Sequence, residues 1–332
     1  MKWGLVGAST IASEYVIGAI RARGHEIATV LSSDPARGAD YASRHEIPES
    51  AANLDALLET PGIEAVYIST TNEKHHSQAM AAIAAGKHVL CEKPLAMSGA
   101  EAAEMVRAAE AKGVVFATNH HLRNAGSHLA IRDLIAEGRI GRVLSVRVFH
   151  AVHLPPHLQG WRIKDAGAGG GVIPDITVHD ADTVRFYLGE DPVEVVAMAG
   201  ASGLGDGVED SVMSIWSMPS GVMVQTHESF THPFAGSGVE VHGTEGSIFG
   251  RGIMTQRPVG EIALVDAAGR RAVKYDGHEL YARSIGLFGD AVAGQGRPSA
   301  DGVDGVKSLA VAMAVRDAAR TGRAVRVNYE GF

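Results

Sequence analysis

Asp175 and His179 are separated by three residues, and Glu92-Lys93-Pro94 follows Cys91 far upstream. On a helix, the four-residue spacing puts the carboxylate and the imidazole on one face. Lys93 comes just after the apolar run His88-Val89-Leu90-Cys91, so it is expected at the end of a strand. Ligands of open parallel α/β sheets bind outside such strand ends. An ammonium and an imidazole facing one ligand are the groups needed to give or take a proton at an oxygen near neutral pH. Plainer readings stand beside these. Lys93 can be a surface lysine. Asp175 can be a helix-start carboxylate with an unrelated His179. Asp180 and Asp182 read as solvated positions, and Cys91 as a small buried strand residue. The glycines of Gly167-Ala168-Gly169-Gly170-Gly171 either let backbone approach a ligand or supply a flexible turn.

The elements that must carry these groups follow from apolar spacing. Strands are expected at Trp3–Gly7, Glu26–Ser32, Glu64–Thr70, His88–Cys91 and Val114–Thr118. Helices between them span Ile11–Arg23, a short stretch opened by Pro35, and His76–Ala85. A fourth runs from the capping-box sequence Ser98-Gly99-Ala100-Glu101 to Lys112, with Gly113 as its stop. Such repeated β-α-β units imply a doubly wound parallel Rossmann sheet over residues 1–120.

Beyond about Asn119 strands outnumber helices. Val143–His150, Val193–Met198, Ser211–Met218, Val222–Phe230, Gly238–His242, Ile262–Val265 and Ala272–Tyr275 read as strands. Pro219-Ser220-Gly221 makes a hairpin turn. Helices are expected at Gly126–Glu137, Leu280–Ala293 and Asp304–Arg320. Residues 121–332 are therefore expected to form an α+β domain, a mostly antiparallel open sheet with helices on one face. The other face can pair with a second subunit or stay solvated, so monomer and homo-oligomer both remain open.

Gly7-Ala8-Ser9-Thr10-Ile11-Ala12 has the frame of a dinucleotide fingerprint, with Ser and Ala replacing its second and third glycines. Gly7 permits the tight turn, Ser9 can donate to a phosphate, and Ala12 allows close helix packing. The second strand ends in Leu31-Ser32-Ser33, where NAD-binding folds usually carry an acidic residue. Two serines followed by Arg37 suit a 2′-phosphate, which points to NADP(H). Asp34 would repel that phosphate if turned inward. With Pro35 it reads instead as a helix start. Ser69-Thr70-Thr71-Asn72-Glu73-Lys74-His75-His76 is a donor-rich stretch that can contact a diphosphate or serve as ordinary loop and cap.

The net charge of -8, without a basic run, argues against nucleic acid and anionic membranes as partners. No apolar stretch is long enough for a bilayer span, and the start of the chain lacks signal-peptide features. With one cysteine in 332 residues, a reducing cytoplasm is the expected location. A metal site is not expected, because there is no Cys cluster and no His-Glu-x-x-His. The absence of Gly-x-Ser-x-Gly disfavours a serine hydrolase.

Taken together, the glycine turn, Glu92-Lys93-Pro94 and Asp175-x-x-x-His179 resemble the Gfo/Idh/MocA oxidoreductase family, over essentially the whole chain. Three more stretches, Ser69–Glu73, Asn119–Asn124 and His153–Arg162, resemble members acting on a cyclic sugar ketone. The reaction implied is NADPH-dependent reduction of the C2 ketone of 1,5-anhydro-D-fructose to 1,5-anhydro-D-mannitol. By the same resemblance Lys93, Asp175 and His179 are active-site residues. Also by resemblance, Ser9, Thr10, Ile11, Ala12, Ser32, Ser33, Arg37, Thr70, Thr71, Asn72, His75, Glu92, Lys93, Asn119, Trp161, Arg162 and Tyr281 contact the cofactor. His179 is expected to donate the proton while Lys93 and Asp175 bind the sugar, although Lys93 and His179 can exchange roles. A dehydrogenase of another cyclic polyol, such as an inositol, is an alternative. So is a non-catalytic dinucleotide sensor.

Overall fold

Short apolar runs in the first third become strands: β1 Lys2–Val6, β2 Glu26–Leu31, β3 Glu49–Ala51, β4 Ala65–Ile68, β5 His88–Cys91 and β6 Phe116–Thr118. In the computed structural model, which describes residues 1–332, they pair in parallel in the order β3-β2-β1-β4-β5-β6. This is the Rossmann order, whose crossover lies between β1 and β4. Between the strands run helices α1 (Ile17–Ala22), α2 (Pro35–Arg44), α3 (Leu54–Glu59), α4 (Asn72–Ala84) and α5 (Gly99–Lys112). The capping box forms as its spacing predicts. The Ser98 hydroxyl accepts from the Glu101 N–H at 3.3 Å and donates to the Glu101 carboxylate at 3.1 Å. Gly113 closes α5 in the left-handed conformation. Other features depart from the sequence reading, in which strand β3 and helix α3 have no counterpart. A π-helical turn over Ala12–Val16 precedes α1, and α4 begins at Asn72 rather than His76.

The remaining strands form one nine-stranded sheet: β7 Val143–Ala151, β8 Glu194–Gly200, β9 Ser211–Ser217, β10 Met223–Ser229, β11 Gly238–Gly243, β12 Gly246–Arg251, β13 Glu261–Asp266, β14 Gly269–Val273 and β15 Val325–Arg326. Their order is β14-β13-β12-β11-β7-β10-β9-β8-β15. All neighbours are antiparallel except β7 and β10, which run parallel at the centre. Alternation along the strands separates two faces. Val146, Val148, Trp216, Val224, Val239 and Val241 lie in the core, whereas Met198, Met213, Ile215 and Met223 are exposed. Helices α6 (Gly126–Ala136), α7 (Pro156–Gln159), α8 (Val178–Leu188), α9 (Leu280–Val292) and α10 (Gly302–Thr321) complete the chain.

Two compact units result. One holds Met1–His121 with Tyr281–Val306, the other Leu122–Leu280 with Lys307–Phe332. Most of α9 thus belongs with the Rossmann sheet, where Phe288 packs on Trp3 with ring centroids 5.2 Å apart. None of the helices is long and apolar enough to cross a membrane.

Asp180 and Asp182 are corrections to the sequence reading. Both lie on α8 against the sheet and are buried rather than solvated. A buried histidine, His128 on α6, offers a test of this core. Its Nδ1 meets the Tyr187 hydroxyl at 2.6 Å and its Nε2 the Ile253 carbonyl at 3.1 Å. A neutral ring satisfies both, accepting from the tyrosine and donating to the carbonyl. Burial pulls its pKa from 6.5 down to about 4. The unfolded chain therefore binds more protons between those values, so the stabilisation is complete above about pH 6.5 and is lost as pH falls towards 4. The gap corresponds to at most about 3 kcal/mol. Urea unfolding measured from pH 7 down to pH 4.5 is expected to show the loss, and His128→Gln to flatten it.

Candidate active site

In the Rossmann unit, the expected cofactor residues gather at the carboxyl ends of the strands. Ser9, Thr10, Ile11 and Ala12 follow β1, Ser32 and Ser33 follow β2, and Arg37 lies on α2. Thr70 and Thr71 follow β4, Asn72 and His75 open α4, Glu92 and Lys93 follow β5, and Asn119 follows β6.

The residues of the first turn fit a dinucleotide. Gly7 has φ +117°, and a Cβ there would lie 3.0 Å from the Ser69 backbone, so only glycine leaves this turn its shape. Ser9 Oγ accepts from the Ala12 N–H at 3.2 Å and lies 2.7 Å from Ser69 Oγ, which ties the β1 and β4 turns together. Arg37 donates to the Ala8 carbonyl at 3.1 Å, and Tyr41 donates to the Ser9 carbonyl at 3.0 Å. Asp34 is the helix cap: its carboxylate accepts from the N–H groups of Ala36 and Arg37 at 2.9 and 3.3 Å. That engagement turns it towards its own helix, not inward.

The Lys93 turn is fastened from both sides. His75 places Nδ1 at 2.8 Å from the Pro94 carbonyl and Nε2 at 3.2 Å from that of Thr70. Burial pushes its pKa down. The neutral ring can donate to only one of the two, and the Pro94 contact is the shorter. Glu92 accepts from the Tyr67 hydroxyl at 2.5 Å and from Asn119 Nδ2 at 2.6 Å. Burial raises its pKa while these two donors oppose the rise. Tyr67 carried no motif and was missed by the sequence reading. Burial also pushes the Cys91 thiol well up, which makes it a poor nucleophile. Tyr281, buried on α9, stacks on Tyr15 and His121 with centroid separations of 5.0 and 5.4 Å.

In the second unit, Trp161 and Arg162 lie on a short 3₁₀ turn, with the guanidinium 4.7 Å from the indole centroid. Arg162 Nε is 3.6 Å from the Asp175 carboxylate. The glycine run passes directly under this turn. A Cβ at Gly170 would come within 2.7 Å of the Trp161 carbonyl oxygen, so the run serves close backbone packing. Asp175 sits in a π-helical turn, Ile173–Thr177, that leads into α8. Glu209, absent from the sequence reading, holds the start of this turn by accepting from the Ile173 N–H at 3.2 Å. His179 lies in the first turn of α8 and is buried. Its ring is 6.4 Å from that of His150 on β7.

A fingerprint turn on a Rossmann sheet, followed by a second, mostly antiparallel unit, is the arrangement of a dinucleotide-binding oxidoreductase of two parts. Comparison with known proteins agrees. Residues 1–120 match the oxidoreductase family, NAD-binding Rossmann fold, and residues 128–249 match the GFO/IDH/MocA C-terminal domain. The chain belongs to the Gfo/Idh/MocA family. It is 56% identical over 327 residues, 98% of each chain, to the 1,5-anhydro-D-fructose reductase of Ensifer adhaerens. It is 29% identical to trans-1,2-dihydrobenzene-1,2-diol dehydrogenase of Bos taurus, over 74% of this chain and 72% of the relative. Among solved structures, levoglucosan dehydrogenase in complex with NADH and levoglucosan superposes with TM-score 0.88 at 25% identity, covering 98% of this chain and 99% of that one. Aldose-aldose oxidoreductase from Caulobacter crescentus, at 24% identity, shares the fold with TM-score 0.90 over 98% and 99% of the two chains.

Proposed function

We propose that the protein reduces the C2 ketone of 1,5-anhydro-D-fructose to 1,5-anhydro-D-mannitol with NADPH. The observation that carries this reading is the 56% identity, over 98% of the chain, to a reductase of that sugar. Lys93, Asp175 and His179 act on the substrate. A bound reduced nicotinamide supplies the hydride. His179 gives a proton to the carbonyl oxygen as negative charge develops on it, and Lys93 donates a second hydrogen bond to the sugar. Asp175, paired with Arg162, accepts from sugar hydroxyls. Initial rates over a panel of ketoses and cyclic polyols, with NADPH and NADH, test the assignment. It predicts that 1,5-anhydro-D-fructose gives the highest kcat/KM and that the product is the mannitol epimer.

A second reading, an NADH-linked dehydrogenase of another cyclic sugar, is favoured by the similarity to levoglucosan dehydrogenase with NADH. The same panel separates the two. A non-catalytic sensor would bind NADPH and turn over nothing in it. Cytoplasmic residence is part of the proposal, because a reducing compartment keeps the single Cys91 as a thiol.

The NADPH preference rests on Ser32, Ser33 and Arg37 at a position where NAD-binding folds place an acid. A charge-assisted hydrogen bond contributes about 1.5–3 kcal/mol. Arg37→Ala is therefore expected to raise KM for NADPH by about ten- to a hundredfold and to leave that for NADH little changed. Equal effects on both cofactors would remove Arg37 from the 2′-phosphate.

A further inference from the structure

Beneath His179 lies a buried polar array that no motif marks. On the inner face of the sheet, Glu228 of β10 stands opposite His150 of β7, and Thr226 opposite Ser214 of β9. Asp180 of α8 lies over this pair of strands. Asp180 and Glu228 are both fully buried. The His150 Nδ1 is 2.8 Å from Asp180 Oδ1, and the Asp180 and Glu228 carboxyl groups lie close enough in the core for each to feel the other.

A chain of donors runs from the indole to the carboxyl pair. An indole N–H only donates. Trp216 Nε1 donates to Ser214 Oγ at 2.8 Å, and Ser214 Oγ lies 2.7 Å from Thr226 Oγ1, to which it donates when the single Thr226 proton is used on Glu228. Thr226 then donates to Glu228 Oε2 at 3.1 Å. Glu228 Oε2 is thus an acceptor. The other oxygen, Oε1, and Asp180 Oδ2 are buried without a fixed partner, and the buried Thr177 hydroxyl, which faces Glu228, is the one further donor that can turn towards that carboxyl. Two ionised carboxylates would set two negative charges side by side in the core and leave Asp180 Oδ2 unsatisfied. One proton between them satisfies both. Burial raises both carboxyl pKa values, and the charge of Asp180 adds to the rise at Glu228.

We propose that Glu228 is protonated and donates to an ionised Asp180, that Asp180 holds His150 with its proton on Nδ1, and that this unit positions and electrostatically supports His179. His150 then presents a lone pair at Nε2, with its ring 6.4 Å from that of His179 and tilted by 44°. The single charge on Asp180, relayed through His150, favours a proton on His179, the state in which it can act as a donor. The inference rests on the assignment of His179 as an acid–base group. The other titratable groups around the array are His128 on α6, whose ring feels His150, and Tyr187 on α8, which feels Asp180. Asp175 precedes the array on the π-helical turn, and Thr177 of that turn faces Glu228.

Infrared spectroscopy of the cofactor-free protein near neutral pH tests the proton directly and needs no substrate. A carbonyl stretch of a buried protonated carboxyl is expected in the wild type and lost in Glu228→Gln. Its absence in the wild type, or its survival in Glu228→Gln, overturns the shared proton. Kinetics test the role. Asp180→Asn removes the charge, so the pH limb that reports the proton donor is expected to move down by about one pH unit. Its kcat at neutral pH is expected to fall about tenfold or more, with the NADPH dissociation constant unchanged. Glu228→Gln, whose amide still donates to Asp180, is expected to lose less than Asp180→Asn and to move the limb less. An unshifted profile in Asp180→Asn reduces the array to a packing role. If Asp180→Asn fails to fold, the infrared comparison and the Glu228→Gln profile still decide. A wild type that turns over no sugar sinks the proposed function and leaves the carboxyl test standing.

Discussion

His179→Ala is expected to lower kcat by about a hundred- to ten-thousandfold, the usual worth of a positioned general acid. NADPH affinity, measured by fluorescence titration, is expected to stay within about threefold of wild type, because a group that acts on the reacting oxygen contributes to the transition state and not to ground-state cofactor binding. The expected phosphate contacts, Ser9, Ser32 and Arg37, all lie on the Rossmann unit, whereas His179 lies on α8 of the other. His179→Asn sharpens the test. It retains a hydrogen-bond donor but cannot give up a proton at neutral pH, so an activity as low as that of alanine identifies proton transfer and not mere hydrogen bonding. Lys93→Ala is the necessary companion. If that variant, and not His179→Ala, abolishes the pH limb of kcat, the proton comes from the lysine and His179 is the hydrogen-bond donor. Near-normal turnover in His179→Ala removes it from both roles.

The parts of this site legible in the sequence are those set by local rules. Glu92-Lys93-Pro94 sits where a strand end was expected, because His88-Val89-Leu90-Cys91 is an apolar run with a glycine turn before it. Ser98 and Glu101 cap α5 because the Ser98 hydroxyl, three residues away, meets both the N–H and the carboxylate of Glu101. Elements without a strong local pattern were lost. Strand β3 is Glu-Ser-Ala at a sheet edge, and β12 is bracketed by glycine and arginine, so neither shows an apolar alternation. The π-helical turns at Ala12–Val16 and Ile173–Thr177 have no sequence signature, yet the second sets the aim of Asp175. Burial of charge was the least legible feature. Asp180 reads as solvated until His150 is brought to it across 30 residues and Glu228 from a third element. Tyr281 likewise reaches Tyr15 only because α9 returns to the first unit.

Asp182→Ala is expected to destabilise the protein by about 3–5 kcal/mol, the cost of breaking a buried ion pair by removing one partner. Asp182 is 1% exposed and accepts from Arg123 Nε at 2.7 Å and from Ser308 Oγ at 3.3 Å. Arg185 lies 4.0 Å from its other oxygen and is itself bonded to Asp191 at 2.6 Å, which Lys307 reaches at 2.7 Å. The guanidinium of Arg123 also lies 5.4 Å from the Phe186 ring centroid, in surroundings with little water to replace the lost carboxylate. Removal of Asp182 therefore takes from a buried cation a carboxylate partner at 2.7 Å. Replacement of both partners by apolar groups of similar size, as in Arg123→Met with Asp182→Leu, avoids that penalty and is expected to recover most of the loss. Urea unfolding of the two single variants and the double variant measures the coupling. A double variant no more stable than Asp182→Ala would mean that Asp182 contributes through packing and its bond to Ser308, and not through the charge on Arg123. Because Asp182 follows Asp180 on α8, loss of this anchor is also expected to lower kcat by loosening the helix that carries His179.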